Sequence, residues 1–421
     1  MNRKILKHKA IHNLNRSRAT MFWVLYAVIC GLILGVIGAA FYHGFSFVTY
    51  ARSQYPKIVF LLPVGSVLIV WFYRVFHNAK DGGTNLVLSA IHSDDEIPLR
   101  MSLLIFVSTL LSHLFGASVG REGAALQIGG SIGNSLGKLF HLNETDKKTM
   151  IMCGMSAAFS ALFGTPMAAA IFSMEVVSVG IMHYAALVPC VVSSLVARAV
   201  ASALGAPSSH FSLGTIPDFT VKNAILISIV AVAAGLLSII FCILLHKTGD
   251  LFCRLFKNTY LKALLGGSIL LGLTLLFPSQ RYNGAGLDLI RESIEGAGIH
   301  WYDFLLKIIF TVVSIAACYK GGEIVPSLVI GSAFGAFFGR LLGLDPGLCA
   351  AVGMGTFFCG VTNCPITSLL MCFELFGLAG WPYYLLSVAF GYMVSGYYGL
   401  YSSQKIIYSK YKSNYIDKQA H

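Results

Sequence analysis

Long apolar runs separated by short polar segments make up most of the chain. A helix of about 20 apolar residues crosses the roughly 30 Å hydrocarbon core of a bilayer. Beyond residue 320 the apolar stretch 324–400 is cut repeatedly by Gly and Pro, so the pattern alone does not place its helix boundaries. The pattern predicts an all-α integral membrane protein. The uninterrupted runs that approach or exceed the spanning length are 21–50, 57–76, 101–119, 184–204, 222–246, 261–277 and 303–318.

Composition agrees with a membrane location. Hydrophobic residues make up 56% of the 421 residues and charged residues only 11%, and the mean hydropathy is +0.74. Soluble domains carry about 25% charged residues. A soluble protein is therefore excluded.

The net charge of +12 lies mainly at the two ends of the chain. Six Lys or Arg residues fall within the first 18 positions, and Lys405, Lys410, Lys412 and Lys418 close the chain. Under the positive-inside rule, both ends face the cytoplasm, which predicts a multi-pass protein of the inner (plasma) membrane. Because the basic residues flank membrane spans, nucleic-acid binding is not expected. The basic start resembles a signal peptide, but the run 21–50 is too long for one, so we interpret it as a retained first helix.

Cysteine and histidine residues show no metal-binding or catalytic spacing. The ten cysteines contain no CxxC pair and lie mostly in apolar runs, which is typical of small buried side chains. The twelve histidines form no HExxH motif. We expect no metal and no cofactor. We also find no convincing nucleophile–base pair, so an intramembrane enzyme is disfavoured.

Two pairs of similar segments indicate an internal repeat. In residues 153–176 and 352–375, a Gly-Met pair is followed twelve residues after the Gly by Pro, and nine residues later by Glu175 or Glu374. Upstream, "GREGAALQIGGS" (120–131) matches "GGEIVPSLVIGS" (321–332). Similar order at an offset of about 200 residues argues for duplication.

The duplication divides the chain into candidate units. We expect a cytoplasmic segment at 1–19, a first transmembrane repeat at 20–210, a second at 221–405 and a cytoplasmic tail at 406–421. Repeated halves with Gly- and Pro-broken apolar segments are typical of transporters with a site at the repeat interface.

The broken segments carry the candidate chemistry. Gly120 to Gly123 precede an Ala-rich run that predicts a helix, and a helix N-terminus favours an anion. Glu122 is itself an anion at that spot, and can leave it when protonated. The same reasoning applies to Glu323, with a helix expected from Ser327 to Leu342 and Pro326 at its start.

Other polar residues of these segments have competing interpretations. Thr84 can donate a hydrogen bond to an anion, but an N-cap role is favoured. Arg121 is able to neutralise Glu122, although neighbouring residues often point apart. Carboxylates inside a membrane are usually functional, yet Glu175 and Glu374 lie near predicted helix ends, where a structural role is favoured.

Four ordered motifs resemble the signatures of the CLC family of anion channels and proton-coupled antiporters. They are "GREGAALQIGG", "GMSAAFSALFGTPMAAAIFSMEV", "GGEIVPSLVIG" and "TNCPITSLLMCFELFG", and the resemblance covers about residues 20 to 405. It implies an all-helical homodimer whose subunits each hold an anion pathway between two inverted repeats of broken, tilted helices. It also implies that Glu122 is the external gate and that Tyr401, in "GLYSS", reaches the central anion site.

Departures from the chloride-transporting pattern are informative. The first anion motif here is Gly83-Thr84-Asn85, without the usual Ser and Pro, and "GGEIVP" has Glu323 before Ile324 where chloride members usually read Gly-Gly-x-Phe-x-Pro. Val176 replaces the second Glu of proton-coupled chloride members. This pattern resembles the bacterial fluoride/proton antiporters, although that branch often has Met where Thr84 stands. No C-terminal regulatory domain is expected.

The sequence thus predicts a secondary active transporter that exports fluoride in exchange for protons. A chloride/proton antiporter and a passive chloride channel of the same fold are the alternatives. The expected partners are fluoride or chloride, protons, the lipid bilayer and a second copy of the chain. Glu122 and Glu323 are the expected proton-transfer residues. The candidate anion-binding residues are Gly83, Thr84, Asn85, Gly120, Arg121, Gly123, Ile324, Val325 and Tyr401.

Overall fold

The computed structural model describes residues 3–76, 82–93, 95–277, 279–412 and 414–420, with side chains from residue 20 onward. Helices dominate this part of the chain, in agreement with the predicted fold class. The α-helices of the described residues are α1 (Arg3–Gln54), α2 (Leu62–Val75), α3 (Gly83–His92), α4 (Arg100–Phe115), α5 (Glu122–Leu139), α6 (Glu144–Phe163), α7 (Pro166–Glu175), α8 (Leu187–Ala203), α9 (Val221–Leu255), α10 (Thr259–Leu276), α11 (Leu287–Glu295), α12 (Asp303–Ala316), α13 (Ile324–Leu341), α14 (Pro346–Thr362), α15 (Pro365–Phe376) and α16 (Trp381–Val394).

Six segments of the described chain are long and apolar enough to cross a membrane. Five of them correspond to predicted runs, and the sixth, Ile324–Leu341, lies in the stretch whose boundaries the pattern left open. The runs at 101–119 and 303–318 form shorter helices of 16 and 14 residues. The first of these stops at Gly116, whose left-handed backbone (φ 94°) ends α4. The six segments are Thr20–Gln54, Pro56–Val75, Tyr184–Ala203, Val221–Leu255, Thr259–Leu276 and Ile324–Leu341.

The start predicted for α13 is wrong by three residues. This helix begins at Ile324 rather than Ser327 and ends at Leu341. Pro326 is its third residue, where a missing N–H costs nothing because the first four N–H groups of a helix have no partner within it. Glu323 is therefore the N-cap residue, directly before the helix.

Helices α9–α16 repeat the order of α1–α8. Each half begins with its longest helix, of 52 or 35 residues, and its third helix is short, with 10 or 9 residues. The fifth helix has 18 residues in both halves. The seventh begins at a proline in both, Pro166 in α7 and Pro365 in α15. The duplication inferred from the motifs thus has a structural counterpart, whereas the exact unit boundaries stay a prediction.

Glycines let the fifth and sixth helices of each half pack closely. A Cβ on Gly129 would lie 2.2 Å from the carbonyl oxygen of Gly154, and a Cβ on Gly353 would lie 2.2 Å from that of Gly331. Small residues at a helix–helix contact allow backbones to approach within a membrane. The glycines of the two Gly-Met pairs, Gly154 and Gly353, therefore mark where α6 packs on α5 and where α14 packs on α13.

The end of the chain forms a small sheet that the sequence did not predict. Strand β1 (Ser178–Val179) pairs in parallel with β2 (Lys405–Tyr408), which pairs antiparallel with β3 (Tyr415–Gln419). Gln404 is buried, and its amide nitrogen donates to the carbonyl oxygens of Val176 and Thr362. These two hydrogen bonds join the segment around Gln404 to both halves of the chain.

Candidate functional site

The two glutamate-bearing turns are joined directly. Gly120 N donates to Gly322 O over 2.6 Å, and Gly322 N donates to Gly120 O over 2.8 Å, forming an isolated antiparallel bridge. A Cβ on Gly123 would lie 2.6 Å from the Gly322 Cα. The motif glycines are thus required because two backbones touch here. The N-termini of α5 and α13 meet at this bridge.

Glu122 is fully buried beside its neighbour Arg121. Its Oε2 accepts from the backbone N–H of Arg121 at 3.0 Å, and its Oε1 lies 3.3 Å from Arg121 Nε. The guanidinium also lies over the rings of Phe45 and Tyr42, at 5.0 and 5.7 Å from their centroids. Arg121 therefore neutralises Glu122, although the two residues are adjacent in sequence. In this conformation the Glu122 carboxylate is sealed from water.

Glu323 faces a cavity of about 690 Å³. Gly83, Thr84, Asn85 and Tyr401 line the same cavity, so five of the predicted site residues come together there. Glu122 does not line the cavity and is fully buried, whereas Tyr401 and Glu323 share the lining. The remaining predicted residues do not line the cavity and instead pack around the bridge: Gly120, Arg121, Gly123, Ile324 and Val325.

The Tyr401 hydroxyl has no hydrogen-bond partner among the described residues, although only 2% of the residue is exposed. A buried polar group without a partner costs about 1–3 kcal/mol. A hydroxyl that lines a cavity regains that energy when an acceptor such as an anion enters. This geometry makes Tyr401 an available donor.

The favoured N-cap role for Thr84 is wrong. Helix α3 begins at Gly83, two residues earlier than an N-cap at Thr84 would place it, with Gly82 at the N-cap position and no side-chain cap. Thr84 instead contacts α5, where its Oγ1 donates to Gly123 O at 3.5 Å and accepts from Gln127 Nε2 at 3.4 Å. Glycine at position 83 explains the shift, because this residue has φ 57°, which glycine adopts readily. Residues 78–81 of the motif lie outside the described residues.

Gln127 is a cavity residue that the sequence reasoning missed. Its side-chain oxygen has no partner in the described structure, and 4% of the residue is exposed. A polar side chain inside the Gly- and Ala-rich run "GAALQIGG" was the available signal, because polar groups in membrane helices are rarely without function.

Asn85 connects the start of α3 to the Tyr401 segment. Its Oδ1 accepts from the backbone N–H of Ser403 at 3.1 Å. Leu400 N in turn donates to Val361 O at the end of α14. Asn85 is thus both a cavity residue and a support for Tyr401.

Glu175 and Glu374 each cap a helix of the opposite half. Glu175 accepts from Ile366 N at 3.0 Å and from Thr367 N and Oγ1 at 2.8 and 2.6 Å, at the start of α15. Glu374 accepts from Met167 N and Ala168 N, both at 2.9 Å, at the start of α7. Carboxylates are stabilised at helix N-termini. The favoured structural role of this pair is therefore right. Each glutamate caps the seventh helix of the other half, which explains why the two occupy equivalent positions.

The cavity wall is basic. Arg74, Lys257, Lys262 and Lys320 line it, and Glu323 is the acidic residue among its described lining. Clefts lined by one sign of charge raise the local concentration of ions of the opposite sign. The arrangement is suited to an anion.

Comparisons with known proteins find relatives over most of the chain. Residues 65–396 match the family model of the voltage gated chloride channels. The chain is 34% identical over 396 residues to a chloride/fluoride channel protein of Pseudomonas syringae pv. tomato, covering 92% of this chain and 87% of that one. It is 26% identical over 393 residues to the H⁺/Cl⁻ exchange transporter ClcA of Vibrio campbellii, covering 85% and 83%.

Two solved structures share the fold. A CLC-type fluoride/proton antiporter superposes with a TM-score of 0.88 at 30% identity, over 91% of this chain and 98% of that chain. A slow cyanobacterial Cl⁻/H⁺ antiporter superposes with a TM-score of 0.77 at 22% identity, over 89% and 94%. The second likeness shows the fold alone.

Proposed function

The chain belongs to the voltage gated chloride channel (CLC) family, and from that premise we propose that it exports fluoride from the cytoplasm in exchange for protons. Anion/proton antiport is common to the solved relatives of this fold named above. The observation that carries the choice of fluoride is Glu323, a carboxyl group that faces the cavity from the N-terminus of α13. The likeness to the fluoride/proton antiporter supports the same choice.

A carboxyl group next to an anion site suits fluoride once it is protonated. Fluoride is small and tightly hydrated, so strong hydrogen-bond donors must replace its water. An O–H group donating to an anion forms a short bond, roughly twice as strong as a neutral one. The hydroxyl of Tyr401 and a protonated Glu323 supply such donors around one cavity, and Thr84 adds its hydroxyl by giving up its 3.5 Å bond to Gly123 O.

The bridge between Gly120 and Gly322 gives Glu122 and Glu323 complementary roles in this proposal. Glu122 is sealed and paired with Arg121, so it blocks the pathway while charged. Protonation removes its charge and its attraction to Arg121, and frees it to move. Glu323 remains open to the cavity and passes on the proton or holds the ion. Inward proton movement then drives fluoride out.

The orientation and assembly form part of the same proposal. The basic residues near both ends support termini that face the cytoplasm and a location in the inner (plasma) membrane. The working unit is a homodimer with one pathway in each subunit. Native mass measurement of the purified protein tests the dimer, and accessibility of a tag at either end tests the orientation.

Reconstitution into liposomes tests the transport. We expect a fluoride gradient to drive proton movement against a proton gradient, and Glu122→Gln to reduce that movement to background. Glu144→Gln, the same chemical change at an exposed position, serves as the matched control and keeps wild-type coupling. Fluoride-driven proton movement that persists in Glu122→Gln would refute the role of Glu122.

Chloride/proton antiport is the second candidate. The similarity to H⁺/Cl⁻ exchange transporters favours it, as does the hydroxyl of Thr84 at the first anion motif. The same liposomes loaded with chloride decide between the two. Comparable rates for both ions contradict fluoride selectivity, and flux of either ion without proton movement indicates a passive channel.

A further inference from the structure

Two of the ten cysteines differ from the rest in exposure. Eight are buried, as expected of small apolar side chains, whereas Cys253 is exposed and Cys318 is partly exposed. Cys253 lies near the end of α9, and Cys318 lies two residues beyond α12. The buried-hydrophobe interpretation is therefore wrong for this pair.

The two accessible thiols lie near one lysine. Lys262 Nζ donates to Cys253 Sγ at 3.5 Å, and Lys262 and Cys318 line the same cavity. A Cβ on Gly266, one turn after Lys262 in α10, would lie 2.8 Å from Ala317 Cα and 3.2 Å from Phe252 Cε1, so the chain neighbours of both cysteines pack against the same turn. Residues 65 positions apart in sequence are thus gathered at Lys262, in the first turn of α10.

Two of these three residues lie in the lining of the proposed anion pathway. Cys318 and Lys262 line the cavity that Glu323 faces. Cys318 has φ 67°, a left-handed backbone that glycine adopts with less strain. Backbone geometry therefore does not account for cysteine at this position, which is five residues before Glu323.

We propose that Cys253 and Cys318 form a redox-sensitive dithiol, which a hydroperoxide converts into a disulfide that restrains the cavity wall beside Glu323. Redox-sensing cysteines are accessible thiolates placed next to a resolving thiol. The ammonium of Lys262 stabilises a nearby thiolate, while burial disfavours one. Cys253 is exposed and contacts Lys262, so it is the thiol that the oxidant reaches first, and the less exposed Cys318 is the resolving thiol.

The chemistry balances with hydrogen peroxide as the oxidant. The Cys253 thiolate attacks one peroxide oxygen, the O–O bond breaks, and the departing hydroxide takes up a proton to become water. The Cys318 thiol then attacks the resulting sulfenic sulfur, a sulfur–sulfur bond forms, and a second water leaves. The two sulfurs lose two electrons in all, and the peroxide is reduced to two waters.

The disulfide ties the end of α9 to the segment that leads from α12 into Glu323. A disulfide holds its two Cα atoms within about 7 Å of each other. We expect this constraint to inhibit transport, a consequence that rests on the proposed function. Formation of the bond itself does not depend on which ion is carried.

Peroxide treatment of the purified protein, followed by alkylation, proteolysis and mass spectrometry, tests the chemistry. We expect a linked peptide that contains Cys253 and Cys318, formed more slowly in Lys262→Met. Cys253→Ser and Cys318→Ser each abolish the link. Cys242→Ala, a buried cysteine of the same helix α9, is the matched control and forms the link as the wild type does.

Flux through the same protein in liposomes tests the consequence. We expect wild-type fluoride flux to be largely lost after peroxide and restored by dithiothreitol, while each serine variant keeps its own pre-treatment rate. Absence of the linked peptide overturns the proposal, as does equal inhibition of the wild type and both serine variants. If no fluoride flux is present before oxidation, the proposed function has failed, and the linked peptide still decides the dithiol.

Discussion

Replacing Gly322 with alanine tests whether the two glutamate-bearing turns must touch. The added Cβ would lie 2.3 Å from Gly123 N and 2.8 Å from Gly123 Cα, both backbone atoms that have no rotamer to change. Ordinary contacts are about 3.5–4.0 Å, so the turns must separate by about 1 Å. The two hydrogen bonds that Gly120 forms with Gly322, now 2.6 and 2.8 Å long, then both exceed the usual upper limit of about 3.2 Å.

The cost follows from these contacts. Each lost backbone hydrogen bond contributes about 1 kcal/mol, and overpacking adds about 1–3 kcal/mol. We therefore expect Gly322→Ala to destabilise the fold by about 3–5 kcal/mol. Proton-coupled transport should fall as well, because the bridge fixes Glu122 relative to Glu323.

Thermal unfolding in detergent and liposome flux measure the two effects. Gly272→Ala is the matched control, because nothing lies within 4 Å of the added Cβ and the position is in the interior of α10. Alanine is favoured over glycine in a helix by about 0.5–1 kcal/mol, so this variant should melt at or slightly above the wild-type temperature. If Gly322→Ala melts like the control and transports at the wild-type rate, the turns need not touch and the reasoning is refuted.

Further predictions concern the helix caps and the cavity. Glu175→Ala should destabilise the protein by about 3–5 kcal/mol, because three hydrogen bonds to the carboxylate are lost. Glu374→Ala should destabilise it less, because two are lost. A lower melting temperature for Glu374→Ala than for Glu175→Ala contradicts this. Gln127→Leu, which removes the amide that holds the threonine hydroxyl of the cavity, should raise the KM for fluoride more than it lowers the maximal rate; an unchanged KM contradicts it. Lys257→Gln should raise the KM for fluoride and weaken the salt dependence of transport, because it removes a positive charge from the cavity lining. Arg254→Gln, which removes a charge outside the lining, should change neither. Equal effects of both changes would argue against electrostatic attraction into the cavity.

The membrane class, the duplication and the two glutamates of the Gly-rich breaks could be recognised from the sequence because each is a local or periodic signal. The length of an apolar run can be read from its own residues, without knowing which other helices it packs against. Glu122 and Glu323 stand in matching Gly-rich breaks, and a carboxylate in such a setting is costly unless it is used.

Helix boundaries in the broken segments were harder to place. The pattern alone could not show that α13 begins before Pro326 or that α3 begins before Thr84. Both helix starts lie next to segments that are distant in sequence: the turn before α13 pairs with Gly120, and Thr84 of α3 contacts Gly123. The small C-terminal sheet depends in the same way on β1, more than 200 residues away.

Pairings between distant residues were decided only by the tertiary structure. The bridge from Gly120 to Gly322 and the exchange of caps by Glu175 and Glu374 join positions about 200 residues apart. No sequence period encodes such contacts, because they arise from how two duplicated halves pack against each other. The sequence by itself identified the two carboxylates that lie in the Gly-rich breaks. The packing of the two halves decided that Glu323 faces the cavity while Glu122 is buried beside Arg121.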